Sequence, residues 1–386
     1  GKGGGSKRGR GGGAGGAGGG GRGKRKRGAS PAPEASRDEP GAGTVPCTWE
    51  EVMPRCVDAA REQEGSRFLQ MKLDEGVPDE CQEIFEAVLP QTLDLAKDVF
   101  GNFVVQKLLE KGTPEQKEAV LTKMQGEVVD LSCHKYACRV MQKALLSLPS
   151  SLQPKVTAEL ESCIVQCIEN MHGNHVVQKV IEHAPVESLG FILDALAEQA
   201  EYIACHMYGC RIYQRLMERC PSHMVQELIS KLIPQAVPRL AKDKHGNYVV
   251  QSILENGSII DKQRIMECIA KNMVEFCKNK ISSNVVEKCF KAATIDDKAQ
   301  DFLDQRRLLI RTLIGDRDVD SPLQQIMRDK FGNYIVQSVI KYSRGLDPED
   351  RDLLQEVIVE LEDTLKSDST SKHILKVFQE EFRNNP

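Results

Sequence analysis

Eight pairs of polar side chains set four residues apart recur along the chain: Ser66 and Gln70, Asn102 and Gln106, Cys138 and Gln142, Asn174 and Gln178, Cys210 and Gln214, Asn247 and Gln251, Ser283 and Glu287, and Asn333 and Gln337. On a helix, residues four apart project from the same side with their Cβ atoms about 5–6 Å apart, roughly the width of a nucleobase edge. One residue after the first member of each pair stands a planar group: Arg67, Phe103, Arg139, His175, Arg211, Tyr248, Asn284 and Tyr334. Guanidinium, ring and amide planes can slide between flat ligands, and an aromatic stacked on a base is worth about 1–3 kcal/mol. One such triplet alone reads as an ordinary solvated helix face, but eight in phase do not. Catalysis requires a single converging constellation rather than eight copies of one, so the pattern points to a repetitive binding surface and away from an enzyme; no catalytic residue is assigned.

The triplets belong to a longer repeat. The segments GSRFLQ, GNFVVQ, ACRVMQ, GNHVVQ, GCRIYQ, GNYVVQ, SSNVVE and GNYIVQ follow one another at intervals of 36, 36, 36, 36, 37, 36 and 50 residues, the self-similarity expected of a solenoid. With the first member of each pair as position one, the apolar side chains at positions three, four, seven and eight share one arc of a helix; in the second unit these are Val104, Val105, Leu108 and Leu109. Positions one, two and five are assigned to the opposite, exposed arc. β-Branched residues on the packing face gain little from helix propensity, so stability must come from stacking on neighbouring units. The residue before position one is always small: Gly65, Gly101, Ala137, Gly173, Gly209, Gly246, Ser282 and Gly332. Because Ala and Ser substitute there, steric clearance, of a kind that admits a ligand to the backbone, is favoured over a need for positive φ. Amphipathic segments such as Cys81–Lys97 and Lys155–Glu169 supply the remaining helices, and no convincing strand is found.

Composition narrows the class further. Residues 1–46 are rich in Gly and Arg, with ten basic side chains against three acidic ones, and are expected to be a disordered tail. Lys24, Arg25, Lys26 and Arg27 resemble a weak nuclear-import patch, and a chain opening on Gly1 is consistent with a fragment. The net charge of the whole is −4, leaving residues 47–386 at about −11. A unit that acidic cannot hold nucleic acid by bulk attraction, so binding requires local surfaces and base contacts. Thirteen scattered cysteines, with no secretory signal and no apolar stretch of membrane-spanning length, argue for reduced thiols in a soluble intracellular protein. Cys163 and Cys167 have no second ligand pair to complete a metal site, so neither metal nor cofactor is expected.

The complete triplets resemble those of the Pumilio (PUF) family over about residues 47–386. The resemblance implies an all-α, right-handed superhelix of eight three-helix repeats, an RNA-binding concave face, and RNA running antiparallel to the protein. It further implies a base assignment: Asn with Gln reads uracil, Ser or Cys with Gln reads adenine, and Ser283 with Glu287 reads guanine. Chemistry agrees at the last pair, since a carboxylate only accepts and guanine alone offers adjacent N1–H and N2–H donors. Read from the eighth repeat to the first, the expected element is UGUAUAUA.

From the resemblance the expected function is recognition of single-stranded RNA in mRNA 3′ untranslated regions and post-transcriptional repression, by a cytoplasmic and monomeric protein acting with deadenylase or co-repressor partners and without membrane association. A nucleolar scaffold and a peptide-binding helical solenoid are the alternatives. Lys107, Lys143, Lys179, Arg215 and Lys288, each following position five, are expected either to approach phosphates or to bridge acidic neighbours. The long interval before the eighth repeat marks an insertion near residues 291–324 that includes Gly315–Pro322, an expected exposed loop. Ser371–Lys376 echo the motif within a C-terminal cap at about residues 351–386.

Overall fold

The computed structural model describes residues 47–316 and 320–383. The tail expected over residues 1–46 and part of the loop expected at Gly315–Pro322 lie outside the described residues. Among the described residues every regular element is helical. A typical repeat contains a longer helix, a short one and the motif-bearing helix, as in Pro114–Met124, Val128–Cys133 and Ala137–Ser147. The motif helices pack in succession, each against the next, from Gln63–Glu75 through Gly332–Lys341 to Lys372–Phe378, giving a solenoid with one continuous core. The last helix belongs to a further three-helix unit, Pro348–Glu360, Glu362–Ser367 and Lys372–Phe378, which stacks on the eighth repeat and covers its open end.

Two segments read as single amphipathic stretches are each broken in two. Cys81–Lys97 spans the end of helix Pro78–Val88, a 3-10 turn and helix Thr92–Lys97; Lys155–Glu169 spans parts of Gln153–Glu161 and Ile164–Glu169. The breaks let the short second helix redirect the chain into the motif helix. That helix is then started by a recurring cap three residues before the small residue. Asp98 Oδ1 accepts from the backbone N–H groups of Phe100 and Gly101 at 2.8 and 2.7 Å. Asn170, Asp243, Asn279 and Asp329 repeat this arrangement. In the third and fifth repeats His134 and His206 do the same through Nδ1. Each satisfies donors that a helix N-terminus would otherwise leave unpaired.

The small residues are explained by packing inside the repeat, not by ligand access. A Cβ on Gly209 would lie 2.2 Å from the carbonyl oxygen of Ile203, and one on Gly332 would lie 2.4 Å from that of Ile326. Gly65 and Gly173 meet the ends of their own preceding helices in the same way. None of these glycines has positive φ. Ser282 fits the same place because its hydroxyl donates to the Phe276 carbonyl at 3.0 Å.

The extra length before the eighth repeat is distributed. The seventh motif helix continues to Thr294, a 3-10 turn follows at Ala299–Phe302, and helix Leu303–Ile314 leads into the partly described loop. Buried Arg306 ties this region to its surroundings by donating to the carbonyls of Ala293 and Gly345 and pairing with Asp347.

Candidate nucleic-acid interface

The triplets share one face of the row of motif helices, with graded exposure. All eight position-two residues are exposed, from Arg67 through Tyr334, and the aromatic ones among them are open by 43% at Phe103, 52% at Tyr248 and 64% at Tyr334. The position-five residues Gln70, Gln106, Gln142, Gln178, Gln214, Gln251, Glu287 and Gln337 are half-buried. The position-one residues Ser66, Asn102, Cys138, Asn174, Cys210, Asn247, Ser283 and Asn333 are buried, which corrects their assignment to the exposed arc. Helical geometry gives the reason. At about 100° per residue position one lies only about 20° from apolar position eight, position five lies about 60° from it, and position two faces away.

Burial turns position one into a brace. Asn102 Nδ2 donates to the backbone carbonyls of Asp98 and Val99, and its Oδ1 accepts from Gln106 Nε2 at 2.8 Å. The same amide-to-amide bond holds Gln178 to Asn174, Gln251 to Asn247 and Gln337 to Asn333. Each glutamine keeps its carbonyl oxygen and one N–H available, an acceptor beside a donor. Without an asparagine the glutamine bonds elsewhere: Gln70 donates to the Ser66 carbonyl and hydroxyl at 3.1 Å, and Gln214 to the Cys210 carbonyl at 3.0 Å. Burial raises the Cys138 and Cys210 thiols above their ordinary range, so both present neutral S–H groups at neutral pH.

The seventh repeat shares its position-one bond with Cys138 and Cys210, which donate to the Lys135 and Met207 carbonyls, and differs at position five. Ser283 donates to the Lys280 carbonyl at 3.3 Å, and Glu287 Oε1 accepts from Ser338 Oγ at 2.9 Å and from Tyr342 Oη at 3.4 Å. Neither hydroxyl was singled out in the sequence. The sequence offered little signal: position six of the eighth repeat holds Ser338 where five repeats hold a cation, but Ser252 stands at the same place in the sixth.

Those cations are ion-paired, the second of the two roles expected for them. Lys107 pairs with Asp74, Lys143 with Glu110, Arg215 with Glu182 and Lys288 with Glu255, each acid being nine positions into the preceding repeat. For Lys179 the equivalent place in the preceding repeat is Leu146, and it pairs instead with Glu182 in its own helix. On the stacking row, partial desolvation of a ring whose outer face stays open and the charges of Arg139 and Arg211 push His175 below the ordinary histidine range, so its ring is neutral at pH 7.

No group of three or more potential metal ligands occurs among the described residues, and all thirteen cysteines are free thiols. No described helix is long and apolar enough to cross a membrane.

A solenoid with in-phase polar pairs and interleaved planar groups defines a class of all-helical repeat protein with one repetitive polar face. A family model described as a NOP9-like PUF repeat domain matches residues 56–300, and one described as a Pumilio-family RNA binding repeat matches residues 323–358. The chain belongs to the Pumilio (PUF) family. Pumilio homolog 12 of Arabidopsis thaliana is 38% identical over 120 residues, covering 31% of this chain and 18% of that protein. Pumilio homology domain family member 4 of Saccharomyces cerevisiae is 29% identical over 161 residues, covering 41% of this chain and 17% of that protein. The aligned segments thus span under a fifth of either relative. Among solved structures, PUF-8 in complex with PBE-RNA superposes with a TM-score of 0.78 at 29% identity, over 86% of this chain and 94% of that one. The Puf3 RNA binding domain bound to a Cox17 RNA 3′ UTR recognition sequence gives 0.73 at 31% identity, over 86% and 97%.

Proposed function

We propose that this chain binds single-stranded RNA sequence-specifically, one base per repeat, with UGUAUAUA as its preferred element. The observation that carries the reading is the unbroken series of eight triplets on one face, each with a half-buried amide or carboxylate at position five and an exposed planar group beside it. RNA in the solved complexes of similar folds supports it. Braced glutamines meet the imide edge of uracil, glutamines beside small neutral side chains leave room for adenine, and the Glu287 carboxylate accepts both donors of guanine. Affinity comes from base edges and stacking, because the position-six cations are already neutralised by acidic partners. The wider role proposed is repression through mRNA 3′ untranslated regions, in the cytoplasm, by a monomer that engages deadenylase or co-repressor proteins.

The test is a binding comparison of residues 47–386 with UGUAUAUA and with a scrambled RNA of equal composition. Each mismatched base should cost about 1–3 kcal/mol, and equal affinities would refute the reading. A second reading, a nucleolar scaffold that recognises RNA by structure, is favoured by the NOP9-like description of the model matching residues 56–300. Selection from randomised RNA separates the two: a linear eight-base consensus supports the first, and folded RNAs without a consensus support the second.

A further inference from the structure

The base read by the seventh repeat is set by the eighth repeat as well. Resting on the proposed reading of Glu287 as the guanine-recognising group, we propose that Ser338 and Tyr342 are positioning residues that orient its carboxylate and keep it free of a cation. Both hydroxyls approach the same oxygen, Oε1, at 2.9 and 3.4 Å. A carboxylate can only accept, so both must donate. Ser338 makes the firm contact, while the tyrosine lies at the long limit of a hydrogen bond. Together they fix the rotation of the carboxylate plane and leave Oε2 open. Each carboxylate oxygen has two lone-pair directions: on Oε1 Ser338 takes one and a base takes the other by displacing the long Tyr342 contact, while both on Oε2 stay open.

The tyrosine is suited to donate under all ordinary conditions. Burial and the adjacent Glu287 push its hydroxyl up to about 12. Ser338 matters also for what it replaces. At position six the second, third, fourth, fifth and seventh repeats carry Lys107, Lys143, Lys179, Arg215 and Lys288, each committed to a carboxylate. A cation at Ser338 would compete with the N–H groups of a guanine for Glu287. A short hydroxyl orients the charge without neutralising it.

The test measures binding of UGUAUAUA and UAUAUAUA to the wild-type chain and to Ser338→Ala, Tyr342→Phe, Ser338→Thr and Ser338→Lys. The wild type should prefer guanine. Ser338→Ala should lower the guanine-over-adenine ratio about tenfold, the scale of one hydrogen bond to a charged group. Tyr342→Phe, which keeps the ring and its packing, should lower it less; Ser338→Thr should retain it, and Ser338→Lys should lose most of it. The uracil-over-cytosine preference opposite the sixth repeat and the melting temperature serve as controls, both expected to hold in Ser338→Ala and Tyr342→Phe. A wild-type chain that does not distinguish the two RNAs overturns the guanine reading and this inference with it. A wild-type preference that persists within twofold in both Ser338→Ala and Tyr342→Phe overturns the positioning role alone. So does equal weakening on both RNAs.

Discussion

Replacing Glu287 by Gln changes charge and hydrogen-bonding pattern while leaving volume almost untouched. In the native protein Oε1 receives the hydroxyls of Ser338 and Tyr342. In the variant the amide oxygen keeps both hydroxyl donors when it takes the place of Oε1, which sets its NH2 where Oε2 stood. A guanine placed there meets a donor with a donor. It loses a bond to a charged acceptor, about 1.5–3 kcal/mol, and leaves a buried donor unpaired, about 1–3 kcal/mol. Binding of UGUAUAUA should therefore weaken by about 3 kcal/mol, or more than a hundredfold. Adenine gains, since its N1 faces an N–H and its N6 amine faces the carbonyl oxygen. With about 1 kcal/mol recovered there, the preference between UGUAUAUA and UAUAUAUA should swing by about 4 kcal/mol, close to a thousandfold, and invert. Competition fluorescence anisotropy at one fixed salt concentration reads this directly. Unchanged melting assigns the swing to recognition. Full retention of the guanine preference would refute one-base-per-repeat reading at its most specific position, and uniform weakening on both RNAs would make Glu287 a structural residue.

Gly209→Ala should destabilise the domain by about 1–3 kcal/mol, because its Cβ would overlap the Ile203 carbonyl in a packed interior; thermal melting checks this, with Ala137→Gly expected to be far milder. Lys143→Ala should alter RNA affinity less than twofold and leave the salt dependence of binding unchanged, since the Glu110 pair already neutralises the cation; a shallower salt slope would mean that Lys143 contacts phosphate. Acidification should destabilise the domain through His172 and His175, both held below the ordinary histidine range chiefly by burial. The unfolded chain then binds protons more readily, so this stability is complete above about pH 6.5 and is lost as pH falls below it; His175→Phe should reduce the fall in melting temperature between pH 7 and 5. Deleting residues 1–46 should lower RNA affinity modestly without changing base preference, with an effect that fades as salt rises; a salt-independent loss would contradict an electrostatic role.

Periodicity made the repeat legible because every motif helix must bury positions three, four, seven and eight against its neighbours, and that constraint is written in Val, Ile and Leu at fixed spacing. The same angular reading placed position one too far toward solvent. Its residues are small and polar, and polarity was taken for exposure; Asn102 instead satisfies its amide on carbonyls of the preceding turn, which no spacing rule announces. The capping residues were overlooked because Asp, Asn and His alternate at that place, sharing an acceptor atom rather than an identity. Ser338 and Tyr342 were invisible for a different reason. They reach Glu287 across 51 and 55 residues, and only the stacking of repeats brings them together.

The ion pairs between repeats have a consequence for rearranging the array. Asp74 with Lys107, Glu110 with Lys143 and Glu255 with Lys288 are shared property, each half lying on a different unit. The third repeat instead presents Leu146 to the fourth. A repeat cut out and moved would leave an acid without its cation on one side and could set a leucine against a carboxylate on the other. The units are therefore less like interchangeable beads than like words with agreement. A transplanted repeat needs positions six and nine matched to its new neighbours, and transplanting the seventh would require taking Ser338 and Tyr342 along with it.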